Sequence, residues 1–587
     1  MVPRSIRRSL VSAFFALGLA VFRGAAEDND YVLGPDSQVD PAVPHGSVLQ
    51  QAFNAGTNSV FPGTSRDYWI YVPRQYTGDK PAAVMVFQDG GGYLSPTGQW
   101  RVPVVFDNLI AKGEMPVTIG VFVNPGVVPS TLGTNALPRY NRSYEYDGLG
   151  DAYARFLVEE LLPEVTSRYL ITTSADGRAI AGSSSGAIAA FNAAWERPDQ
   201  FRRVFSTIGT YVGLRGADVF PTLIRKTEPK PLRVFLQDGY KDQDIYGGNW
   251  WIANQAMLSA LQFAGYEVTH QWGTGGHDGK QGGSIFPDAM RWLWKDYPKP
   301  VKAGSGAKHL AAGLIDGDWQ LVGQGYQFPG GLAADAAGAV YFTDPPANRI
   351  YKVALDGAVA ILRDAADHPQ AMAVTPDGRV LASRPATRGI VELEGKAGEK
   401  IVSTDAAAKA MVVRHSGTTY FTDPAAHAVK AMDAKGKVTT LDTGIEFPSG
   451  LAFSPDQSLL YVSDLVGQLI YSFQVRDDGT LAFKQRYFHL HMPDDPRGSG
   501  ADGLCVDTAG RLYVASSVGV QFCDQAGRVN GILNKPEPGA WASSVCFGGK
   551  DRDELYLAAG DKVWKRKLKA KGASAFEAPI VPPGPRL

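Results

Sequence analysis

Cysteine is nearly missing from this chain. Three occur, Cys505, Cys523 and Cys546, all toward one end and odd in number. That excludes a disulfide framework. One bridge is arithmetically open, and buried thiols are the expectation. Charge imbalance is missing too. Lys and Arg number 58 against 59 Asp and Glu, a formal net charge of -1. This excludes the basic surface that nucleic acid or an anionic membrane demands. Histidine is scarce, at nine, and no H-x-x-x-H spacing builds a zinc site. Beyond the first residues no apolar run is long enough to cross a bilayer.

Glycine (66) and proline (38) are plentiful, so many turns and many short strands are expected. A length of 587 residues exceeds one ordinary core and divides naturally into two large domains. The start is distinct. Arg4, Arg7 and Arg8 precede an almost wholly apolar run over 9–22, and Gly24-Ala25-Ala26 offers a small-residue cleavage site. Residues 1–26 read as a secretory signal peptide, too short to span. The paired arginines permit a twin-arginine route, although Ile6-Arg7-Arg8-Ser9 matches it weakly. The mature protein is expected to be periplasmic or secreted, with no membrane insertion after signal removal and no nucleic-acid partner.

Within 27–298, apolar runs alternate with helix-forming stretches. Strands are predicted at 67–73, 83–87, 118–123, 178–181, 203–206, 232–236 and 267–270, and helices at 151–168 and 251–263. Such alternation implies a mostly parallel sheet covered on both faces, with ligands beyond the carboxyl ends of its strands. At one such end stands Gly182-Ser183-Ser184-Ser185-Gly186, a G-x-S-x-G pattern between a short strand and a helix. That context presents a serine hydroxyl on a tight turn. Asp238, Asp242 and Asp244 follow the 232–236 strand, and His277 follows the 267–272 run. The order Ser, Asp, His suits nucleophilic acyl transfer. Histidine takes the serine proton, and a carboxylate fixes its tautomer. Ser184 is assigned as nucleophile, His277 as base and Asp242 as orienting acid, with Asp238 and Asp244 as competitors. His270 is the rival base, and a metal role for His277 with Asp278 is the alternative use. Oxyanion donors are expected from the N–H of Ser185 and from the glycine run, at Gly91. Tyr240, Trp250 and Trp251 are candidates to line an acyl or sugar pocket.

Four pieces carry a resemblance here: Val60-Phe61-Pro62-Gly63-Thr64 leading into Asp67–Pro73; Arg142-Ser143-Tyr144-Glu145-Tyr146; the 182–186 turn; and Gly276-His277 before a helix ending Arg291-Trp292-Leu293-Trp294. The segment resembles the putative-esterase group of α/β-hydrolases, which includes carbohydrate esterase family 1 and enterochelin-esterase-like proteins. The resemblance implies a serine carboxylic-ester hydrolase, without cofactor or metal, acting on small-molecule or polysaccharide-linked esters of feruloyl or acetyl type. It favours Asp242 as the acid, since the group's acid follows a strand ending in glycine. It also implies that Arg142 and Glu145 form a supporting pair beside the substrate.

After a polar linker at 299–309, residues 310–587 change character. A unit of two short strands recurs from about 331, 371, 410, 450, 503 and 544. A forty-residue period of this kind is that of propeller blades, and six copies imply six blades. The longer fourth interval holds an insertion around His489–Met492. This part resembles the gluconolactonase/SMP-30-like propellers, whose catalytic members hold an axial dication with Glu, Asn and Asp and hydrolyse lactones. Here Pro329-Gly330-Gly331, Lys409-Ala410 and Pro448-Ser449 stand at three of the ligand positions, and Asp502 alone matches. One carboxylate beside a lysine is a poor dication site, so no metal centre is expected. The alternative functions are metal-dependent lactone hydrolysis and non-catalytic glycan binding.

Overall fold

The computed structural model describes residues 31–394, 398–494 and 498–585. The proposed signal segment lies outside them, and no helix among the described residues is long and apolar enough to cross a membrane. The first part is built on one sheet. From one edge its strands run Glu267–Gly273, Arg233–Gly239, Arg203–Thr207, Arg178–Ser183, Ala83–Gln88, Thr118–Val123 and Ser65–Val72. All neighbours are parallel up to Thr118–Val123. Ser65–Val72 and Ser47–Asn54 then add antiparallel.

The strands Ala83–Gln88 and Thr118–Val123 are buried throughout and largely apolar because both faces are covered. One face packs Ile180, Val204 and Leu236 against Ile188, Phe191 and Leu261. The other packs Phe87, Phe122 and Phe205 against Phe106, Phe286 and Leu293. The predicted helix over 151–168 is broken into Ala152–Arg155, a π-turn at Phe156–Leu161 and Leu162–Thr166. The residues of its predicted apolar side, Leu157, Leu161 and Leu162, are nonetheless buried.

The second part is a six-bladed propeller of four-stranded sheets. Its repeat has a mechanical reason. A hydroxyl on the second strand of a blade donates to a carbonyl of the next blade: Thr343 to Gln370 O at 3.0 Å, Ser383 to Ala408 O at 2.9 Å, Thr422 to Ser449 O at 2.6 Å and Ser463 to Asp502 O at 3.0 Å. In the fifth blade Ser516 turns instead to Gly519 O of its own blade at 2.6 Å, and in the last blade Ser543, on the innermost strand, donates to Pro329 O at 2.6 Å. The last blade is closed by a strand from the front of the domain, Gln320–Gln324, antiparallel to Lys562–Lys567. The three cysteines are free thiols, two of them buried.

The two parts meet along 223–230. Glu228 N–H donates to Ile532 O, and its carboxylate takes both arms of Arg566 at 2.7 and 2.9 Å. Residues 299–309 lie against the first part: Val301 N–H reaches Asp176 at 2.7 Å, and His309 stacks on Phe263.

Candidate active site

Arg178–Ser183 ends in a turn that places Ser184 at φ 56°, ψ -125° before the helix Ser185–Glu196. A side chain other than glycine pays for that backbone, so the strain needs surrounding support. Support comes from both neighbours. Ser184 N–H donates to Thr207 O at 3.0 Å, and Thr210 N–H donates to Ser184 O at 3.3 Å. A Cβ at Gly182 would collide with the Gly186 backbone, so glycine is required there.

Ser184 Oγ lies 2.8 Å from His277 Nε2, and His277 Nδ1 lies 2.5 Å from Asp242 Oδ1. An ionised carboxylate only accepts, so Nδ1 carries the hydrogen and Nε2 is free to accept from the serine. The Asp242 side chain is fully buried, while His277 keeps 20% exposure. Burial pushes the Asp242 carboxyl up. Hydrogen bonds from His277, from Asp238 and from the Gln243 N–H outweigh it and hold the group below its ordinary range. The loops bearing acid and base approach so closely that a Cβ at Gly239 would strike the Gly275 backbone.

Of the competitors, Asp244 is exposed and Asp238 is wholly buried behind Asp242. His270 is exposed on its strand and packs beside Trp272. Asp278 accepts from Lys280 N–H at 2.9 Å. Trp250 is buried edge-on to His277, with ring centres 5.9 Å apart, and its indole N–H donates to Thr210 Oγ1 at 3.2 Å. Thr210 Oγ1 itself stands 3.3 Å from Ser184 Oγ. Trp250 therefore backs the imidazole rather than lining an open pocket. Tyr240 is half-exposed, and Trp251 packs edge-on against Trp272.

Two further expectations need correction. Glu145 does not pair with Arg142. It forms a fully buried two-armed bond with Arg66, at 2.7 and 2.9 Å, and faces no substrate. Arg142 instead holds Asp89, at 2.9 and 2.8 Å. Burial lowers the Arg142 guanidinium, but the Asp89 hydrogen bond and charge leave it raised overall. Gly91 N–H is directed at Asn124 Oδ1, 3.1 Å away, and so is already engaged. Ser185 remains well placed, since the first N–H groups of a helix lack intrahelical acceptors. Sequence reasoning passed over Asp89, Thr210 and Asn254. Asp89 stood directly before the glycine run; the others had no local signal.

At the propeller axis, Lys409 Nζ donates to Asp502 Oδ1 at 2.8 Å, and Ser449 Oγ donates to the same oxygen at 2.6 Å. Gly331, Ser543 and Ser544 line the same cavity. An ammonium already bound to the sole carboxylate repels a dication, so these residues do not fit the metal that the propeller resemblance implies. Among the described residues no group of three or more His, Cys, Asp or Glu is placed to hold a metal.

Residues 59–278 match the family model described as Putative esterase, and residues 328–561 match that of the SMP-30/Gluconolactonase/LRE-like region. Each of the two parts thus matches a family model of its own, an esterase model on the parallel sheet and a gluconolactonase/SMP-30-like model on the propeller. A gluconolactonase of Zymomonas mobilis is 26% identical over 275 residues, 39% of this chain and 75% of its own length. A gluconolactonase structure from Xanthomonas campestris is 24% identical with a TM-score of 0.40, covering 44% of this chain and 93% of that one. The enterobactin esterase of Shigella flexneri is 21% identical with a TM-score of 0.35, covering 44% and 62%.

Proposed function

We propose that this protein is an exported serine carboxylic-ester hydrolase whose working residues are Ser184, His277 and Asp242. The observation that carries the reading is the unbroken line Ser184 Oγ, His277 Nε2, His277 Nδ1, Asp242 Oδ1, with gaps of 2.8 and 2.5 Å, at a strained turn. His277 Nε2 takes the Ser184 proton as Oγ attacks the ester carbonyl carbon. The negative charge on the tetrahedral oxygen faces the Ser185 N–H at the helix start. The intermediate collapses, the alcohol leaves with the proton from His277, and an acyl-serine remains. Water then gives a proton to His277 and attacks the acyl carbon, releasing the acid and restoring Ser184. No metal enters any step.

A carbohydrate-linked ester of feruloyl or acetyl type is the proposed substrate class. It draws support from the esterase family match and from the half-exposed Tyr240 in the turn between Asp238 and Asp242. Export to the periplasm or medium rests on the N-terminal sequence pattern. The gluconolactonase-type match supports lactone hydrolysis as a second reading for the propeller; the Lys409–Asp502 pair weighs against it. The test is a screen of feruloyl, acetyl, glucuronoyl and aryl esters and sugar lactones, with Ser184→Ala beside the parent. Ester hydrolysis is expected to vanish in the variant. Undiminished ester hydrolysis there would overturn the assignment.

A further inference from the structure

Two buried carboxyl groups stand side by side where the proposed mechanism uses one. Asp238 is the penultimate residue of the strand Arg233–Gly239, and Asp242 follows in a turn closed by Asp242 N–H to Gly239 O at 3.0 Å. The turn brings their side chains into hydrogen-bonding contact. Asp242 Oδ1 accepts from His277 and from Gln243 N–H at 2.6 Å. Its Oδ2 is buried and receives no donor when both carboxyls are ionised. Asp238 Oδ1 accepts Gly239 N–H at 2.7 Å. Asp238 Oδ2 lies 2.9 Å from Asn254 Nδ2, which also faces Gly209 O at 2.9 Å and Trp250 O at 3.0 Å. Two amide hydrogens cannot fully serve three oxygens.

Two adjacent buried carboxylates cannot both stay charged. Asp242 has the imidazole and a backbone N–H to stabilise its charge, so the shared proton belongs on its neighbour. The geometry points to Asp238 as a positioning residue of the ester-hydrolysing site: a neutral carboxylic acid whose O–H donates to Asp242 Oδ2. This rests on the reading of Ser184, His277 and Asp242 as the working residues. It supplies the donor that the buried oxygen requires. It also pins the carboxylate so that Oδ1 stays on His277, and it leaves one negative charge in the cluster to stabilise the imidazolium. Burial first, then the hydrogen bond and charge of Asp242, push the Asp238 carboxyl up to about 9. Of the surrounding groups, Asn254 on the helix, Trp272 on the adjacent strand and Gly209 carry no charge. Asp242, with His277 behind it, is the titrating neighbour.

The sign follows directly. A carboxyl raised in the folded state contributes stability that is complete below its unfolded range and is lost as pH climbs through about 9. Asp238→Asn keeps a donor and has no proton to lose; Asp238→Ala removes the donor. Turnover of Asp238→Asn is expected to stay close to the parent's at neutral pH and to persist above about 9. Asp238→Ala is expected to lose roughly 100-fold in kcat with little change in KM, because the imidazole loses its fixed position. A second measurement does not depend on turnover. In a Ser184→Ala background, the infrared carbonyl band of a protonated carboxylic acid is expected at neutral pH, absent from the Asp238→Asn double variant, and titrating away near pH 9. Absence of that band from the Ser184→Ala protein would overturn the proposal even if the ester reading stands. Equal losses and identical alkaline profiles for the Asn and Ala variants would overturn it as well.

Discussion

Each half of this molecule gathers a carboxylate, a nitrogen base and a serine at the place where its fold collects ligands. In the esterase domain they form an open line. Asp242 holds His277, His277 faces Ser184, and Ser184 at the end is part-buried rather than enclosed. At the propeller axis they form a closed knot, with Lys409 and Ser449 both spending their hydrogens on Asp502 Oδ1. The residue types are similar and the consequences opposite. An array can do chemistry when its last residue keeps some access to solvent, as Ser184 does even with Thr210 Oγ1 3.3 Å from its hydroxyl. When the groups satisfy one another, they stabilise the fold instead.

The sharpest way to break this contrast is to remove the open end. Ser184→Ala should reduce ester turnover by on the order of 10⁴-fold or more, read as kcat on the best ester, with unchanged thermal unfolding. The same contrast can be pressed on ion pairs beside each site. Glu145→Ala strands the fully buried Arg66 guanidinium. It should cost about 3–5 kcal/mol of stability in denaturant unfolding. Glu228→Ala at the domain junction leaves Arg566, 3% exposed, without its carboxylate. A loss of about 3 kcal/mol is expected, seen as earlier melting of the propeller in calorimetry. The smallest effect belongs to the closed knot. Lys409→Met should leave ester turnover within about twofold of the parent, as for distant independent sites. A large loss there would join the two sites and end the comparison.

The open line was legible in the sequence because each member had local punctuation: a strand before it, a glycine beside it, and a fixed order along the chain. The six blades were legible for the same reason, since a pair of short strands and its turn recur at a period of about forty residues. What escaped notice depended on which elements become neighbours. Arg66 sits on an antiparallel strand far from Glu145 in sequence, and only the fold pairs them. Asn124 reaches Gly91 from the end of the next strand. Asp238 is next to last in the strand Arg233–Gly239 and Asp242 follows it four residues on, so spacing could rank them only by resemblance; in the fold only Asp242 meets His277. The closing strand Gln320–Gln324 is mostly exposed and lies outside the repeat, so neither its pattern nor its period marked it.

The central claim is that hydrolysis is built on Ser184 alone. The most direct measurement is labelling of the purified protein with a fluorophosphonate, followed by peptide mass mapping. One adduct per chain is expected, on Ser184, abolished by His277→Ala and unaffected by Lys409→Met. An unlabelled chain that still hydrolyses esters, or an adduct on a propeller residue, would contradict it.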